Sequence, residues 1–266
     1  MSSGSSGWMA GLTALVALAG TGQGMAEPRI MGEPTRGCIA GAVSLPLEGE
    51  GFTVMHLERK RYYGHPLLID TVMALGRTVR QGGGHLRVGD LSRVTGGPMP
   101  FGHRSHQTGL DVDLWFDLDG SSGLHLDPLR SSVSATSLLN PAKTGLDTRL
   151  WHDRHVQVLR TAALQPGVDR IFVNPHIKKA LCQGQRSDRG WLHRIRPWHG
   201  HDDHFHLRLA CPENSPECVR QASVPAGDGC DASLDWWFQP HPPETGTPGL
   251  APKPALPAAC MALLKQ

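Results

Sequence analysis

Two hydrophobic rhythms alternate along the chain. Between Pro66 and Arg80, Ile69, Val72, Met73, Gly76 and Val79 recur at helical spacing, the mark of one buried helix face. Gly82-Gly83-Gly84 then stops the predicted helix, since glycine readily takes the backbone conformation that ends a helix. Leu150 to Leu164 repeats the rhythm through Trp151, His155, Val158, Leu159 and Ala162. Asn174-Pro175 predicts an N-cap followed by proline at the first helical position, opening a helix to about Cys182. The second rhythm is strict alternation, the period of a strand with one face on a core. In His204-Phe205-His206-Leu207-Arg208-Leu209, the apolar Phe205, Leu207 and Leu209 oppose His204, His206 and Arg208. In Leu110-Asp111-Val112-Asp113-Leu114, Asp111 and Asp113 share the face opposite the three aliphatic residues. Leu86 to Leu91 and Val168 to Val173 are further predicted strands, and residues 117–143 and 183–194 are predicted loops.

These elements do not repeat as regular βαβ units. They predict an α+β fold with a mostly antiparallel central sheet flanked by helices and long loops. The 266 residues suffice for a sizeable core, assigned to one domain over 27–240. Ahead of it, the apolar run Trp8 to Gly20 and the small residues Gly24-Met25-Ala26 read as an export signal over 1–26, cut before Glu27. The run is shorter than the roughly 20 residues of a membrane-spanning helix. It lacks the preceding Lys or Arg usual in such signals, and Met1 to Gly7 reads as a scar or a misplaced start. With no other spanning segment, the expectation is an exported protein without stable membrane insertion. Past Trp236-Trp237 the chain is proline-rich to Pro257, predicting a stiff extended stretch within a C-terminal tail over 241–266. The formal net charge of +2 comes without a polybasic run, so nothing points to nucleic acid. Oligomeric state is not legible.

The alternating segments also carry the candidate chemistry. If the two strands pair, His106, in the loop entering the first, would meet Asp113 and His206. Two imidazoles and one carboxylate are the ligands of a catalytic zinc whose fourth position stays open. With 15 histidines in the chain, a lone His-x-His would say little, because such pairs are often only solvated. The weight comes from both segments alternating and from the glycines around them. Neither segment contains a glutamate base, so histidine must supply proton transfer; His204 shares a face with His206 and would stand beside the metal. Asp111 reads as a solvated strand carboxylate in preference to a partner orienting a histidine, and Trp198 and His199 read as packing in preference to substrate contacts. The six cysteines lack a Cys-x-x-Cys pair, which argues against a cysteine-ligated zinc and, in an exported chain, for disulfides. Spacing leaves their pairing open.

Gly102-His103-x-Ser105-His106-Gln107-x-Gly109-Leu110-Asp111-Val112-Asp113 and Gly200-His201-Asp202-x-His204-Phe205-His206-x-Arg208-Leu209-x-Cys211-Pro212 resemble the motifs of the penicillin-insensitive murein endopeptidases. These belong to a wider group with lysostaphin-type and D-alanyl-D-alanine peptidases, and weaker similarity runs from about Cys38 to Cys230. The resemblance implies zinc bound by His106, Asp113 and His206. It implies catalytic roles for His204 and His201, and makes His103 an additional site histidine or a ligand of a second metal. It selects the disulfides Cys38–Cys260, Cys182–Cys230 and Cys211–Cys218. It also implies a periplasmic enzyme that hydrolyses the D-alanyl–meso-diaminopimelate cross-link of peptidoglycan and resists β-lactams, which acylate a serine this chemistry does not use. A D,D-carboxypeptidase or dipeptidase, or a non-catalytic zinc-containing wall-binding module, are the alternative readings.

Overall fold

The computed structural model describes residue 1 and residues 27–119, 127–240 and 255–265. Apart from Met1, the expected export signal lies outside the described residues, as do residues 241–254 of the proline-rich tail. The short hairpin β1 (Arg29–Glu33) and β2 (Arg36–Ala40) leads the chain in. Then come β3 (Val43–Ser44), β4 (Glu48–Gly49), β5 (Phe52–Val54), β6 (Tyr63–Gly64) and β7 (Leu86–Val88). The site-bearing half holds β8 (Asp111–Trp115), β9 (Val168–Val173), β10 (Ile195–Pro197) and β11 (His204–Leu209). The helices are α1 (Pro66–Gln81), α2 (Asp127–Ser132), α3 (Asp153–Leu164), α4 (Pro175–Gly184), α5 (Ala232–Asp235) and α6 (Ala258–Leu263).

Seven strands form one sheet in the order β10-β9-β11-β8-β7-β5-β4. The middle of it, β9-β11-β8-β7, is antiparallel throughout. The flanks are not uniform: β10 runs parallel to β9, and β5 parallel to β7. The sheet is therefore mixed, with its antiparallel part where the two alternating segments meet. The pairing of β8 with β11 sets His206 opposite Asp113 and Arg208 opposite Asp111.

Val112, Leu114, Phe205 and Leu207 are fully buried on one face of these strands. They join a core with Val72 and Leu75 of α1 and Val158 and Leu159 of α3. α1 starts where Pro66 supplies the first helical residue and the His65 side chain accepts a hydrogen bond from the Leu67 amide. α3 starts at Asp153, later than its apolar rhythm suggests. The amides of Leu150 and Trp151 both donate to the Asp147 carbonyl in a turn, and His152 and His155 cap the helix reciprocally. α4 opens as expected, with the Asn174 side chain accepting from the His176 amide. Two expected loops contain helix: α2 lies within 117–143, and a 3₁₀ turn spans Gly190–Arg194. The strand expected from Leu86 to Leu91 ends at Val88.

All six cysteines are paired, as Cys38–Cys260, Cys182–Cys230 and Cys211–Cys218. The first ties α6 to β2. The third closes a tight loop immediately after β11, and that loop docks on β1 through reciprocal backbone bonds of Gly32 with Glu217 and Val219. The strand bearing His206 is thereby anchored at its exit. Typical disulfides contribute about 2–4 kcal/mol.

Candidate metal centre

The polar face of β8 and β11 lies beneath the segment that connects β7 to β8. Gln107 pins that segment: its side chain accepts from the Gly37 amide and donates to the carbonyls of Thr35 and Arg104. Gly109 lets the chain pass close by. Its φ is +70°, and a Cβ there would sit 2.9 Å from Ile39 Cδ1 and 3.2 Å from the His65 amide nitrogen, so a side chain would push the loop off the sheet. Two site histidines, His106 and His201, also hold left-handed backbone, at φ 66° and 53°. Such residues are uncommon outside glycine and cluster at functional sites.

His106 and His206 are both buried, and each has one ring nitrogen engaged. His106 Nδ1 donates to the Leu91 carbonyl at 3.1 Å, which leaves Nε2 with a free lone pair. His206 Nε2 donates to Asp111 Oδ1 at 2.7 Å, which leaves Nδ1 free. The two free nitrogens lie 3.2 Å apart. Asp113 Oδ1 is 3.4 Å from the first and 3.3 Å from the second. A tetrahedral ion bound at about 2.0–2.1 Å separates its ligand atoms by roughly 3.3–3.4 Å, so the triangle has the dimensions of one face of a zinc site. Asp113 Oδ1 is also buried with no hydrogen-bond partner. An orphaned carboxylate oxygen is expensive to bury, and a cation between it and the two nitrogens would satisfy it. The residues present therefore fit a metal.

Asp111 corrects the expectation of a solvated carboxylate. It is fully buried, where it accepts from His206, from Arg208 Nε and from the His106 amide. Burial alone would raise its pKa, yet the Arg208 guanidinium and the His206 hydrogen bond hold it well below the usual carboxylate range. Asp111, His206 and the free Nδ1 thus form the carboxylate–histidine arrangement that fixes a ligand tautomer.

Three more histidines border the triangle. His103 Nε2 bonds Asp90 Oδ2 at 2.9 Å and its Nδ1 lies 3.4 Å from Asp113 Oδ2. His103, His106 and Asp113 thus form a second group whose ligand atoms lie within 4.8 Å of one another, although His103 approaches the other oxygen of Asp113. Asp90 is buried and also accepts from Arg61 at 2.7 Å. His204 Nε2 points to Asp113 Oδ1 from 3.7 Å, while its Nδ1 bonds Asp203 Oδ1 at 2.5 Å. Burial opposes a charge on His204, but the carboxylates of Asp113 and Asp203 outweigh it and push the pKa up to about 9. His201 Nδ1 donates to the His199 carbonyl at 2.9 Å, and burial pushes its pKa down to about 4. A cavity of about 560 Å³ lined by Arg189, His193 and Asp228 is made of other residues and is bridged by the Arg189–Asp228 ion pair.

All six expected site residues, His103, His106, Asp113, His201, His204 and His206, are thus brought to one face of the sheet. Asp90, Asp203 and the Leu91 carbonyl were not expected. Asp203 was detectable in principle, since it directly precedes His204.

Comparison with known proteins identifies the family. The family profile described as "Penicillin-insensitive murein endopeptidase" matches residues 30–265. A protein of that name from Haemophilus influenzae is 44% identical over 244 residues, covering 91% of this chain and 83% of the relative. Namesakes from Pectobacterium atrosepticum and Yersinia enterocolitica are 41% identical over 238 residues and 39% identical over 276 residues. These alignments cover 89% and 97% of this chain, and 84% and 96% of the two relatives. With its matched length running through the hairpin, the sheet and the terminal disulfide, the chain belongs to the penicillin-insensitive murein endopeptidase family.

Proposed function

We propose that the protein is a zinc-dependent endopeptidase that hydrolyses the D-alanyl–meso-diaminopimelate cross-link of peptidoglycan in the periplasm. The observation that carries the chemistry is the buried, unpartnered Asp113 Oδ1 set against the free nitrogens of His106 and His206. These three residues are the proposed zinc ligands. Zinc would supply Lewis-acid polarisation of the scissile carbonyl and lower the pKa of water toward neutrality. The periplasmic assignment rests on the paired cysteines and on the leader read from the sequence. Among the described residues, no helix is long and apolar enough to cross a membrane.

The remaining steps belong to the chain's own side chains. His204, backed by the Asp203 carboxylate, holds a proton on Nε2 that it can pass to the leaving amine. His201 has its Nδ1–H tied to the His199 carbonyl, which leaves Nε2 as an acceptor able to orient water or a substrate N–H. Asp90 orients His103 in the same way that Asp111 orients His206. Among the described residues, this set needs no serine or cysteine nucleophile, in keeping with insensitivity to penicillin.

The test is digestion of purified cross-linked sacculi with zinc-loaded enzyme, followed by muropeptide analysis. Dimers should become monomers, and chelation of zinc should stop the conversion while penicillin should not. Release of free D-alanine with the dimers intact would instead support the carboxypeptidase. Sacculus binding without a new muropeptide would support the wall-binding module.

Asp111→Asn probes the second layer. The amide keeps an oxygen for the His206 N–H but no longer neutralises Arg208. Loss of such an orienting partner typically weakens metal binding by about 10–100-fold. Competition against chelators of graded affinity should show a loss of this size, and an unchanged affinity would refute the orienting role.

A further inference from the structure

We infer that a ridge of aromatic rings running outward from the metal centre is a saccharide-binding site, which holds the glycan to which the cleaved peptide is attached. The inference rests on the endopeptidase reading for the identity of the glycan and on the following geometry for the site. Phe172 lies on β9 directly opposite His206, with ring centroids 5.4 Å apart in a T-shaped contact. Trp198, just beyond β10, meets Phe172 edge-on at 5.5 Å. Trp237 follows at 6.0 Å from Trp198 and packs on His199 at 4.9 Å. Each separation falls in the range of favourable aromatic contacts, so the ridge is continuous from a proposed metal ligand to the surface.

Three properties suit it to a sugar. Trp198 is 53% exposed, yet it is held in place by Phe172, by Trp237 and by its own amide, which donates to the Val173 carbonyl at 2.8 Å. An indole fixed before binding loses little freedom on binding. Pyranose rings have a C–H-rich apolar face that matches the negative face of an indole. The ridge carries a cation at its inner end, where the Arg208 guanidinium stands 5.5 Å from the Phe172 centroid, whereas at its outer end the ring partners of Trp198 and Trp237, among the described residues, are aromatic or imidazole. A stem peptide bears carboxylates that call for cations, whereas a neutral amino-sugar calls for none.

The test compares two substrates of one bond type: a disaccharide-bearing muropeptide dimer and the same dimer stripped of sugar by an amidase. Trp198→Ala and Trp237→Ala should each lower kcat/KM on the glycan-bearing dimer by about tenfold, as expected for loss of one ring contact. The loss should appear in KM, and turnover of the sugar-free dimer should stay within about twofold of wild type. Trp198→Phe should recover most of the difference. Cleavage of both dimers by the wild type tests the endopeptidase reading separately. The ridge is also read without turnover, by titrating an N-acetylglucosamine oligosaccharide and following indole fluorescence, a response that Trp198→Ala should lose. Equal losses on both dimers, or a wild-type fluorescence unmoved by the oligosaccharide, would overturn the saccharide site.

Discussion

His206→Ala is expected to yield a folded protein that holds no stoichiometric zinc and does not convert muropeptide dimers. His206 Nδ1 is one corner of the triangle with His106 Nε2 and Asp113 Oδ1. Its removal leaves two ligands where a catalytic zinc has three protein ligands. The fold should survive because Asp111, which loses the His206 hydrogen bond, keeps Arg208 and the His106 amide. Activity should fall to background, since without the ion neither carbonyl polarisation nor acidified water is available. Metal analysis together with circular dichroism checks both halves of the expectation. His103→Ala is the informative companion. His103, His106 and Asp113 also form a compact group, but His103 faces the second oxygen of Asp113, so its loss should leave the His206-dependent ion in place. A folded His206→Ala protein with one zinc per chain, or a His103→Ala protein without it, would shift the assignment to the other group.

The legibility of this site in the sequence follows from strand periodicity. With a period of two, the alternation in Leu110–Leu114 and His204–Leu209 states which side chains share a face, and only one face of each is apolar. Pairing these two segments was enough to bring His106, Asp113 and His206 together. What alternation does not state is what covers the polar face. Asp111 was for that reason read as solvated, although the Gln107-pinned loop buries it completely. The parallel flanks escaped because β5 and β10 are three residues long, too short to show a period. Asp90 escaped for a related reason: it lies just past the three-residue β7, and its bonds to Arg61 and His103 join parts of the chain that no local pattern connects. The backbone of His106 was likewise invisible, because a left-handed histidine has no signature beyond the glycines near it.

The six cysteines show the opposite balance. Their spacing left the pairing open, and only the resemblance of the two motifs to a known family selected one. The three bonds seen agree with that selection. The bond after β11 also restrains the strand carrying His204 and His206. That strand leaves the sheet into a closed loop that is itself hydrogen-bonded to β1, so its exit is held by covalent and backbone bonds in addition to the ladder.

His204→Ala should separate metal binding from catalysis. His204 Nε2 is 3.7 Å from Asp113 Oδ1, and its other nitrogen is occupied by Asp203. It borders the triangle without completing it. The variant should therefore bind zinc at wild-type stoichiometry while kcat on muropeptide dimers falls by about 10²–10⁴, the usual effect of removing a positioned proton-transfer group. KM should change little, because the proton is needed as the amine departs and not when the peptide docks. Asp203→Asn should give a smaller loss of the same kind: the imidazole remains, but its partner no longer favours the protonated form. Single-turnover kinetics on zinc-loaded protein, with metal content measured on the same sample, provides the comparison. A His204→Ala protein that cleaves dimers near the wild-type rate would remove His204 from the chemistry and refute its proton-donor role.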